Sequence, residues 1–341
     1  MILKIVMLVV FFAIMVGVGI YCRKNSTDVN GFVLGGRSVG PWLTAFAYGT
    51  SYFSAVIFVG YAGQFGWKYG IASTWIGIGN ALIGSLLAWV VLGRRTRLMS
   101  QHLKSATMPE FFEKRYFSVS LKVAASALVF VFLIPYTASL YNGLSRLFSM
   151  AFPGVSYSVC VIVMAVLTGV YVIAGGYMAT AINDFIQGII MIIGIVAVIA
   201  AVLSQNGGFI ESLNGLAAIE ADGMAPGAFN SFFGPDPLGL LFVVILTSLG
   251  TWGLPQMVQK FYAIKSEKDI NKGTIISTIF AIIVAGGCYF LGGFGRLFTD
   301  KLIFLPDGSI EGGFDAIIPT MLSNLPDVLI AIVIFFVLKK K

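Results

Sequence analysis

The sequence carries little charge, few cysteines and one histidine. Charged residues occupy 11% of the 341 positions, whereas an average soluble protein has about 25%. The cysteines, Cys22, Cys160 and Cys288, lie far apart within apolar segments, without the spacing of a metal or redox site. The histidine, His102, lies in a polar loop, so the sequence shows no Ser-His-Asp set, and it has no glycine-rich phosphate loop. These absences argue against an enzyme and against an ATP-driven pump.

Apolar residues are what the sequence has in excess. Hydrophobic residues make up 58% of the chain and the mean hydropathy is +0.92, a surplus that a soluble core cannot hide. Polar loops divide the chain into apolar segments, most of them close to the roughly 20 residues that cross a bilayer. The predicted spans are 2–22, 41–64, 71–93, 122–150, 155–175, 181–204, 238–259, 273–295 and 326–338. We therefore expect one all-α, polytopic membrane domain over residues 1–341.

The placement of lysine and arginine predicts the orientation. With the N-terminus outside and alternating spans, 17 of the 22 basic residues fall on the inner side and 4 in outer loops, as the positive-inside rule requires. Lys260 counts here as the first residue of an inner loop, and the Lys339–Lys341 end is cytoplasmic. Because the inner basic residues are spread over several loops, they would lie against an anionic membrane leaflet and do not indicate a nucleic-acid partner. We expect a multi-pass protein of the plasma or inner membrane.

The second predicted span has a polar centre. Between Thr44 and Phe58, the stretch Gly49–Ser54 places four hydroxyl side chains within five residues. Irregular backbone at membrane depth persists only where it is buried in protein or lines a cavity, and a hard cation such as Na⁺ needs oxygen ligands. The sequence thus favours an ion site here, although close packing of helices also explains small residues at this depth.

A second interruption lies in the seventh span, within Thr247–Met257. Gly250, Gly253 and Pro255 disfavour a continuous helix there. Paired interrupted helices in corresponding halves of a chain indicate a transporter binding site. Spans 2 and 7 are five apart and so run in opposite directions, as an inverted repeat of five helices requires. A proline kink without a ligand is the alternative.

Asp184 is the one acidic residue within the predicted spans of the first half. A carboxylate inside the membrane is costly and therefore a candidate functional group. Equally, Asp184 could lie at the headgroup level and cap a helix together with Asn183. Gln187 follows one helical turn later and would face the same side.

Three further residues allow two interpretations each. Trp252 lies at the expected midplane, where it could stack on a substrate or pack beside glycines. Tyr136 follows Pro135 in the fourth span, and a buried tyrosine hydroxyl needs a partner. Arg37 precedes the first broken helix, where it could anchor the inner mouth or serve as an ordinary topology charge.

Three motifs resemble the sodium/solute symporters, a family that includes proline, pantothenate, monocarboxylate and sugar carriers. They are Gly35–Pro41, Ala174–Gln187 and Gly253–Ile264. The third motif is more similar to the proline and pantothenate branch than to the sugar branch. The resemblance implies a leucine-transporter-type bundle, in which two inverted five-helix repeats follow an extra first helix.

The resemblance also implies site residues. Sodium would bind backbone carbonyls of Thr50 and Phe53 and the hydroxyl of Ser54, with Asp184 near the ion exit path. Tyr52 departs from family members that have aspartate at its position. We expect Arg37 to form the inner gate. We expect the substrate cavity, between spans 2, 4 and 7, to include Tyr52, Tyr136, Thr251, Trp252 and Gln256.

The function implied is sodium-coupled import of a small polar organic solute. Its partners would be the solute, sodium ions and the lipid bilayer, and Na⁺ would act as coupling ion with no other cofactor. The last segment, 326–338, covers about 20 Å at 1.5 Å per residue, against roughly 30 Å of hydrocarbon. We therefore expect the second repeat to be incomplete. The alternatives are a truncated, non-transporting remnant or a membrane sensing module derived from such a symporter.

Overall fold

The computed structural model describes residues 2–23, 28–53, 56–152, 154–220 and 224–337. Over these ranges the regular structure is helical, and the only extended pairings are two isolated bridges, Val39–Ile264 and Phe304–Ile310. The predicted all-α fold is therefore confirmed. Ser54 and the Lys339–Lys341 end lie outside the described residues.

Fifteen α-helices are described, together with short 3₁₀ and π-helical segments. The α-helices are α1 Ile2–Cys22, α2 Val29–Leu34, α3 Pro41–Tyr52, α4 Ala62–Tyr69, α5 Thr74–Gly79, α6 Arg94–His102, α7 Met108–Tyr116, α8 Val119–Ala151, α9 Tyr157–Gln205, α10 Phe209–Ala217, α11 Pro237–Leu249, α12 Pro255–Ala263, α13 Glu267–Gly292, α14 Ile317–Leu322 and α15 Asp327–Val337. Between α5 and α6 the chain continues through two π-helical segments, Asn80–Leu87 and Trp89–Gly93.

Both predicted interruptions are present. α3 ends at Tyr52, and a π-helical segment, Val56–Tyr61, leads on to α4. α11 ends at Leu249, and α12 begins at Pro255. Proline suits the first turn of a helix because it has no N–H group to leave unpaired. The chain therefore stops one helix and starts the next within each of spans 2 and 7.

The fifth and sixth predicted spans meet at a sharp kink in α9. Gly176 there has φ 57° and ψ −152°, a conformation that L-residues with a side chain rarely adopt. A Cβ at this position would also lie 2.9 Å from the Phe32 carbonyl oxygen. The kink therefore lets α2 approach α9 closely, and it requires glycine.

The centre of the bundle is α13. It packs against α3, α4, α5 and α9. A Cβ added to Gly66 would overlap the backbone of Gly292, and one added to Gly77 would lie 2.6 Å from the Ala285 carbonyl oxygen. Small residues at such positions let membrane helices approach to backbone contact. The first broken helix thus rests on a closely packed scaffold.

The described residues contain four helical stretches long and apolar enough to cross a membrane, Val56–His102, Val119–Asn142, Gly175–Gln205 and Glu267–Gly292. Shorter apolar helices are Val9–Cys22, Pro237–Leu249 and Gly313–Leu322. Together they indicate a multi-pass membrane protein.

The segments between the spans differ from the sequence pattern in two places. The segment 205–237 between the sixth and seventh predicted spans contains α10, although it is rich in glycine, asparagine and proline. Lys260, counted above as an inner-loop residue, lies within α12 and is buried. The helix continues past the expected boundary because Lys260 has a buried ionic partner, described below.

Candidate functional site

The end of α3 holds the two residues expected to offer backbone carbonyls to sodium. Thr50 is fully buried, and its hydroxyl donates to the Phe46 carbonyl at 2.7 Å. The Phe53 N–H donates to the Gly49 carbonyl at 2.9 Å, and the Phe53 ring stacks on Tyr52 with centroids 4.5 Å apart. Since the Thr50 hydroxyl is engaged within the helix, its carbonyl is the group to consider for an ion. The role of both carbonyls as sodium ligands stays a prediction.

The two interrupted helices meet at Tyr52. Its hydroxyl donates to the Thr247 carbonyl at 2.9 Å, at the end of α11. The side-chain oxygen of Asn80 lies 3.2 Å from the same hydroxyl, and it accepts from Thr247 Oγ1 at 3.0 Å and from Ser248 Oγ at 3.1 Å. Three side chains from both breaks thus converge on one amide. The sequence analysis missed Asn80, although an amide inside an apolar span was a signal for it.

Thr251 and Trp252 lie in the turn between α11 and α12. The Thr251 hydroxyl donates to the Ser248 carbonyl at 3.0 Å. The Trp252 indole N–H donates to the Ile83 carbonyl at 3.1 Å. This contact ties Trp252 to the helical run between α5 and α6, and its role beside a solute stays a prediction. Neither residue is placed in a solute site by these contacts.

Asp184 lies inside α9, where it is 6% exposed. One of its carboxylate oxygens, Oδ2, is 3.7 Å from Lys260 Nζ, which also lies 4.8 Å above the centre of the Tyr177 ring. The interpretation of Asp184 and Asn183 as a helix cap is wrong, because both lie well within the helix. Asp184 therefore faces a buried ammonium group, and its predicted sodium contact stays untested.

A cavity of about 260 Å³ adjoins this pair; we call it the Asp184 cavity. Gln256 also lines it, and both side-chain polar atoms of Gln256 are buried without a hydrogen-bond partner. The Tyr136 hydroxyl lies near the Gln256 amide but makes no well-aligned hydrogen bond with it. The structure thus brings Gln256 beside Asp184. Tyr52, Thr251 and Trp252 are not among the residues lining this cavity.

Arg37 closes one end of the bundle. Its guanidinium donates to the Ser100 hydroxyl at 3.1 Å, the Tyr262 carbonyl at 3.2 Å, the Ser100 carbonyl at 3.3 Å and the Ser105 carbonyl at 2.6 Å. We call these four residues the Arg37 network. Arg37 itself has φ 54°, an uncommon conformation for a non-glycine residue that surrounding contacts must hold in place. The network joins the start of the first broken helix to the end of the second.

Backbone contacts reinforce this closure. The Val39 N–H donates to the Ala263 carbonyl at 3.3 Å, and the Lys265 N–H donates to the Val39 carbonyl at 2.9 Å. The Gln259 amide donates to the Val33 carbonyl at 2.7 Å. Val33 and Gln259 both line the Asp184 cavity, so this contact joins α2 to α12 at the wall of the cavity.

The described residues contain no group of three or more histidine, cysteine or acidic side chains able to hold a metal ion. An alkali cation does not need one, since helix C-termini present carbonyl oxygens and a partial negative charge. The C-termini of α3 and α11 provide both near Tyr52. Such a site suits a weakly held coupling ion better than a resident transition metal.

Comparison with known proteins gives a consistent picture. Residues 32–338 match the model of the sodium:solute symporter family. The chain is similar to the osmoregulated proline transporter OpuE of Bacillus subtilis, with 29% identity over 300 residues that cover 87% of this chain and 59% of the relative. It is also similar to sodium/proline symporter 2 of Staphylococcus saprophyticus, with 32% identity, 87% of this chain and 57% of the relative.

The sodium/proline symporter of Staphylococcus aureus is 33% identical over 272 residues, which cover 78% of this chain and 51% of the relative. The chain thus spans between 51% and 59% of the length of these curated relatives.

A solved structure shares the fold. The substrate-bound, outward-open structure of a Na⁺-coupled sialic acid symporter superposes with a TM-score of 0.74 at 18% identity, covering 98% of this chain and 68% of that one. At this identity the likeness shows the fold alone. It confirms the predicted leucine-transporter-type bundle.

Proposed function

Because this chain belongs to the sodium:solute symporter family, we propose that it carries out sodium-coupled import of a small polar organic solute across the cell membrane. The observation that carries the proposal is the meeting of two interrupted helices, with the Tyr52 hydroxyl 2.9 Å from the Thr247 carbonyl. Interrupted helices paired in this way build ion and solute sites in secondary transporters. No enzymatic step is part of the proposal.

Sodium is proposed to bind where α3 ends. The carbonyls of Thr50 and Phe53 belong to the last turn and the cap of that helix, where helical carbonyls lack intrahelical partners. The hydroxyl of Ser54, which lies outside the described residues, would complete this side of the site. Asp184 would act apart from these residues, along the exit path.

L-Proline is the first solute to test, because the curated relatives described above are named as proline transporters or sodium/proline symporters. We propose that it binds between spans 2, 4 and 7. Tyr52, Thr251 and Trp252 come from or beside the two breaks, while Tyr136 and Gln256 face each other nearer the Asp184 cavity. We propose that the residues of the solute path fall into two groups, one at the two breaks and one nearer the Asp184 cavity.

The Arg37 network is proposed to be the closed inner gate. Basic residues accumulate at its end, including Arg97, whose guanidinium donates to the Lys265 carbonyl at 2.5 Å. Fewer basic residues lie at the opposite end of the second span, where α4 ends. Lys68 and Arg296 are near each other there, since the Arg296 guanidinium donates to the Trp67 carbonyl at 2.7 Å. The positive-inside rule then puts the Arg37 network in the cytoplasm and the N-terminus outside. Sodium and solute would enter from outside and leave once this network opens.

Uptake by proteoliposomes tests the proposal. The purified chain is reconstituted, and uptake of radiolabelled L-proline is compared under an inward sodium gradient and an equal choline gradient. We expect uptake in sodium only, and a weaker dependence on sodium for Ser54→Ala and for Asp184→Asn. The matched control is Ser204→Ala, whose hydroxyl bonds only within its own helix at the exposed end of α9. Uptake that is equal in both gradients would refute sodium coupling.

A further inference from the structure

A π-helical segment, Asn80–Leu87, continues the helical run after α5 and packs against α11 and α13. Segments of this type are rare, and they are often found at functional sites. This one belongs to neither break of the chain, yet side chains beside both breaks form hydrogen bonds with it. The segment is therefore placed to link the two breaks.

The backbone of the segment accepts one hydrogen bond from the side of each break. The Tyr48 hydroxyl, in α3, donates to the Gly84 carbonyl at 2.9 Å. The Trp252 indole N–H, in the turn after α11, donates to the Ile83 carbonyl at 3.1 Å. Two neighbouring carbonyls of the segment thus hold α3 and the residues that follow α11.

Asn80, the first residue of the segment, adds a side-chain link between the breaks. It is fully buried, and its amide oxygen lies 3.2 Å from the Tyr52 hydroxyl at the end of α3. The same oxygen accepts from the hydroxyls of Thr247 and Ser248, near the end of α11, at 3.0 and 3.1 Å. The Tyr289 hydroxyl of α13 lies near this amide but makes no well-aligned hydrogen bond with it. One amide therefore contacts both breaks at once.

We propose that Asn80 is a positioning residue, which transmits sodium binding at the end of α3 to the end of α11. This inference rests on the proposed sodium site, which includes the Phe53 carbonyl. Because Phe53 directly follows Tyr52, an ion that fixes the Phe53 carbonyl also restrains the Tyr52 hydroxyl. Asn80 then holds Thr247 and Ser248 against α3, and with them the start of the second break.

Hydrogen–deuterium exchange tests this transmission without requiring the identity of the solute. The purified full chain in detergent is measured in sodium chloride and in choline chloride, and the readout is the exchange of the backbone amides of residues 243–254. Exchange slows when a segment opens less often. We expect sodium to slow this exchange about fivefold or more in the parent, the lower end of typical coupling between two sites. In Asn80→Leu the two salts should give the same rates.

Asn80→Leu is expected to fold, because most of the hydroxyls that it releases have other acceptors. The Tyr52 hydroxyl donates to the Thr247 carbonyl, and the Thr247 hydroxyl donates to the Val243 carbonyl, both at 2.9 Å. Leucine is also apolar and close to asparagine in size, so the substitution leaves no unpaired amide in the core. The unfolding midpoint of the variant verifies that it is folded.

A second variant tests the bond itself. Ser248→Ala removes one donor to the amide and keeps Asn80 in place, so its response to sodium should lie between those of the parent and Asn80→Leu. If the two side chains act through their bond, the double variant should respond as Asn80→Leu alone does. Asn214→Leu, at an exposed position of α10, is the matched control and should respond as the parent does.

The outcomes separate this proposal from the proposed function. Loss of the sodium effect in Asn80→Leu, with exchange in choline unchanged, supports the positioning role. A folded Asn80→Leu in which sodium slows exchange as in the parent would overturn the role and leave sodium-coupled transport standing. A change of equal size in both salts would show a structural role only, and would also overturn the proposal. If sodium leaves exchange in the parent unchanged, the transmission is wrong, and the uptake assay decides the proposed function separately.

Discussion

The helix that ends at Tyr52 is buried along its last nine residues, whereas the helix that ends at Leu249 exposes much of its surface. In α3 every residue from Thr44 to Tyr52 is buried. In α11 the buried residues are Leu240 and Ser248. The two breaks correspond in the inverted repeat, yet they are supported to different degrees.

The difference indicates which of the two broken helices belongs to the fixed part of the bundle and which one moves. The first break rests on α13, whose Phe280 ring lies so close to Gly49 that a Cβ there would overlap it. The α11 side of the second break is held at separate points, by the Thr247 carbonyl and the Trp252 indole, whereas α12 beyond the break is largely buried. Segments held by few contacts open at low free-energy cost. We therefore expect α11 to move against a fixed α3 and α13.

The largest expected effect is a break of the scaffold itself. Gly66→Ala places a Cβ against the backbone of Gly292 in α13, and because neither backbone can turn aside, we expect a loss of about 3 kcal/mol or more. The measurement is the thermal unfolding midpoint in detergent, together with the monodisperse fraction in size-exclusion chromatography. The control is Gly253→Ala in the second break, where a Cβ meets nothing within 4 Å. Equal midpoints for the two variants would contradict the comparison.

The next largest effect is expected at the Arg37 network. Arg37→Leu removes four hydrogen bonds, and since bonds to a charged group contribute about 1.5–3 kcal/mol each, the gate should open more often. The test uses a protein whose native cysteines are replaced and that carries Thr180→Cys in the Asp184 cavity. We expect a maleimide to label position 180 at least tenfold faster when Arg37→Leu is added than when Arg37 is kept. Arg94→Leu is the control, because it removes an exposed ion pair with Glu267. A labelling rate that Arg37→Leu leaves unchanged would show that the network is not a gate.

A smaller effect should follow from disconnecting the two breaks. Tyr52→Phe removes the hydroxyl that donates to the Thr247 carbonyl, which costs about 1 kcal/mol. The unfolding midpoint is measured in sodium chloride and in choline chloride. If sodium acts through this contact, the increase in midpoint caused by sodium should be smaller for Tyr52→Phe than for the parent protein. Tyr116→Phe, at an exposed position on α7, is the matched control. Should sodium stabilise Tyr52→Phe as much as the parent, the hydroxyl does not couple the breaks.

The smallest effect is expected at Trp252. Trp252→Phe loses one hydrogen bond to the Ile83 carbonyl at a half-buried site, so the unfolding free energy should fall by at most about 1 kcal/mol. Solute affinity should change less than twofold, because phenylalanine keeps an aromatic ring beside the proposed solute path. Trp42→Phe, on an exposed face of α3, controls for the loss of a tryptophan. A tenfold loss of proline affinity would show that the solute site needs the indole itself and not only an aromatic ring.

Local chemistry explains what could be predicted from the sequence. A threonine shortly before a proline is a helix-start pattern, and Thr107 does cap α7 by accepting from the Glu110 N–H at 3.3 Å. The ends of α3 and α11 followed from hydroxyl, glycine and proline clusters. Because residues close in sequence determine these helix starts and ends, sequence patterns can predict them.

Contacts between distant segments were not predictable in the same way. The link between Tyr52 and Asn80 joins residues 28 positions apart, and the pair of Asp184 with Lys260 joins residues 76 positions apart. Lys260 was counted in the inner loop that follows the predicted span 238–259. A lysine in a membrane helix is costly, and its partner Asp184, distant in sequence, offsets that cost. The predicted roles of Thr50, Phe53 and Arg37 in transport stay predictions.

The bridge between Val39 and Ile264 has a thermodynamic consequence. Its two hydrogen bonds join main-chain groups only: the Val39 N–H donates to the Ala263 carbonyl, and the Lys265 N–H donates to the Val39 carbonyl. Water can therefore replace both partners when the end of the bundle that contains the Arg37 network opens. Each exchange then costs only about 0.5–1.5 kcal/mol. A free-energy difference of about 5.5 kcal/mol is enough to shift a two-state population from 1:99 to 99:1. The backbone part of the closure, taken without the Arg37 side-chain bonds, therefore lies within the range that binding of one ion and one solute can reverse.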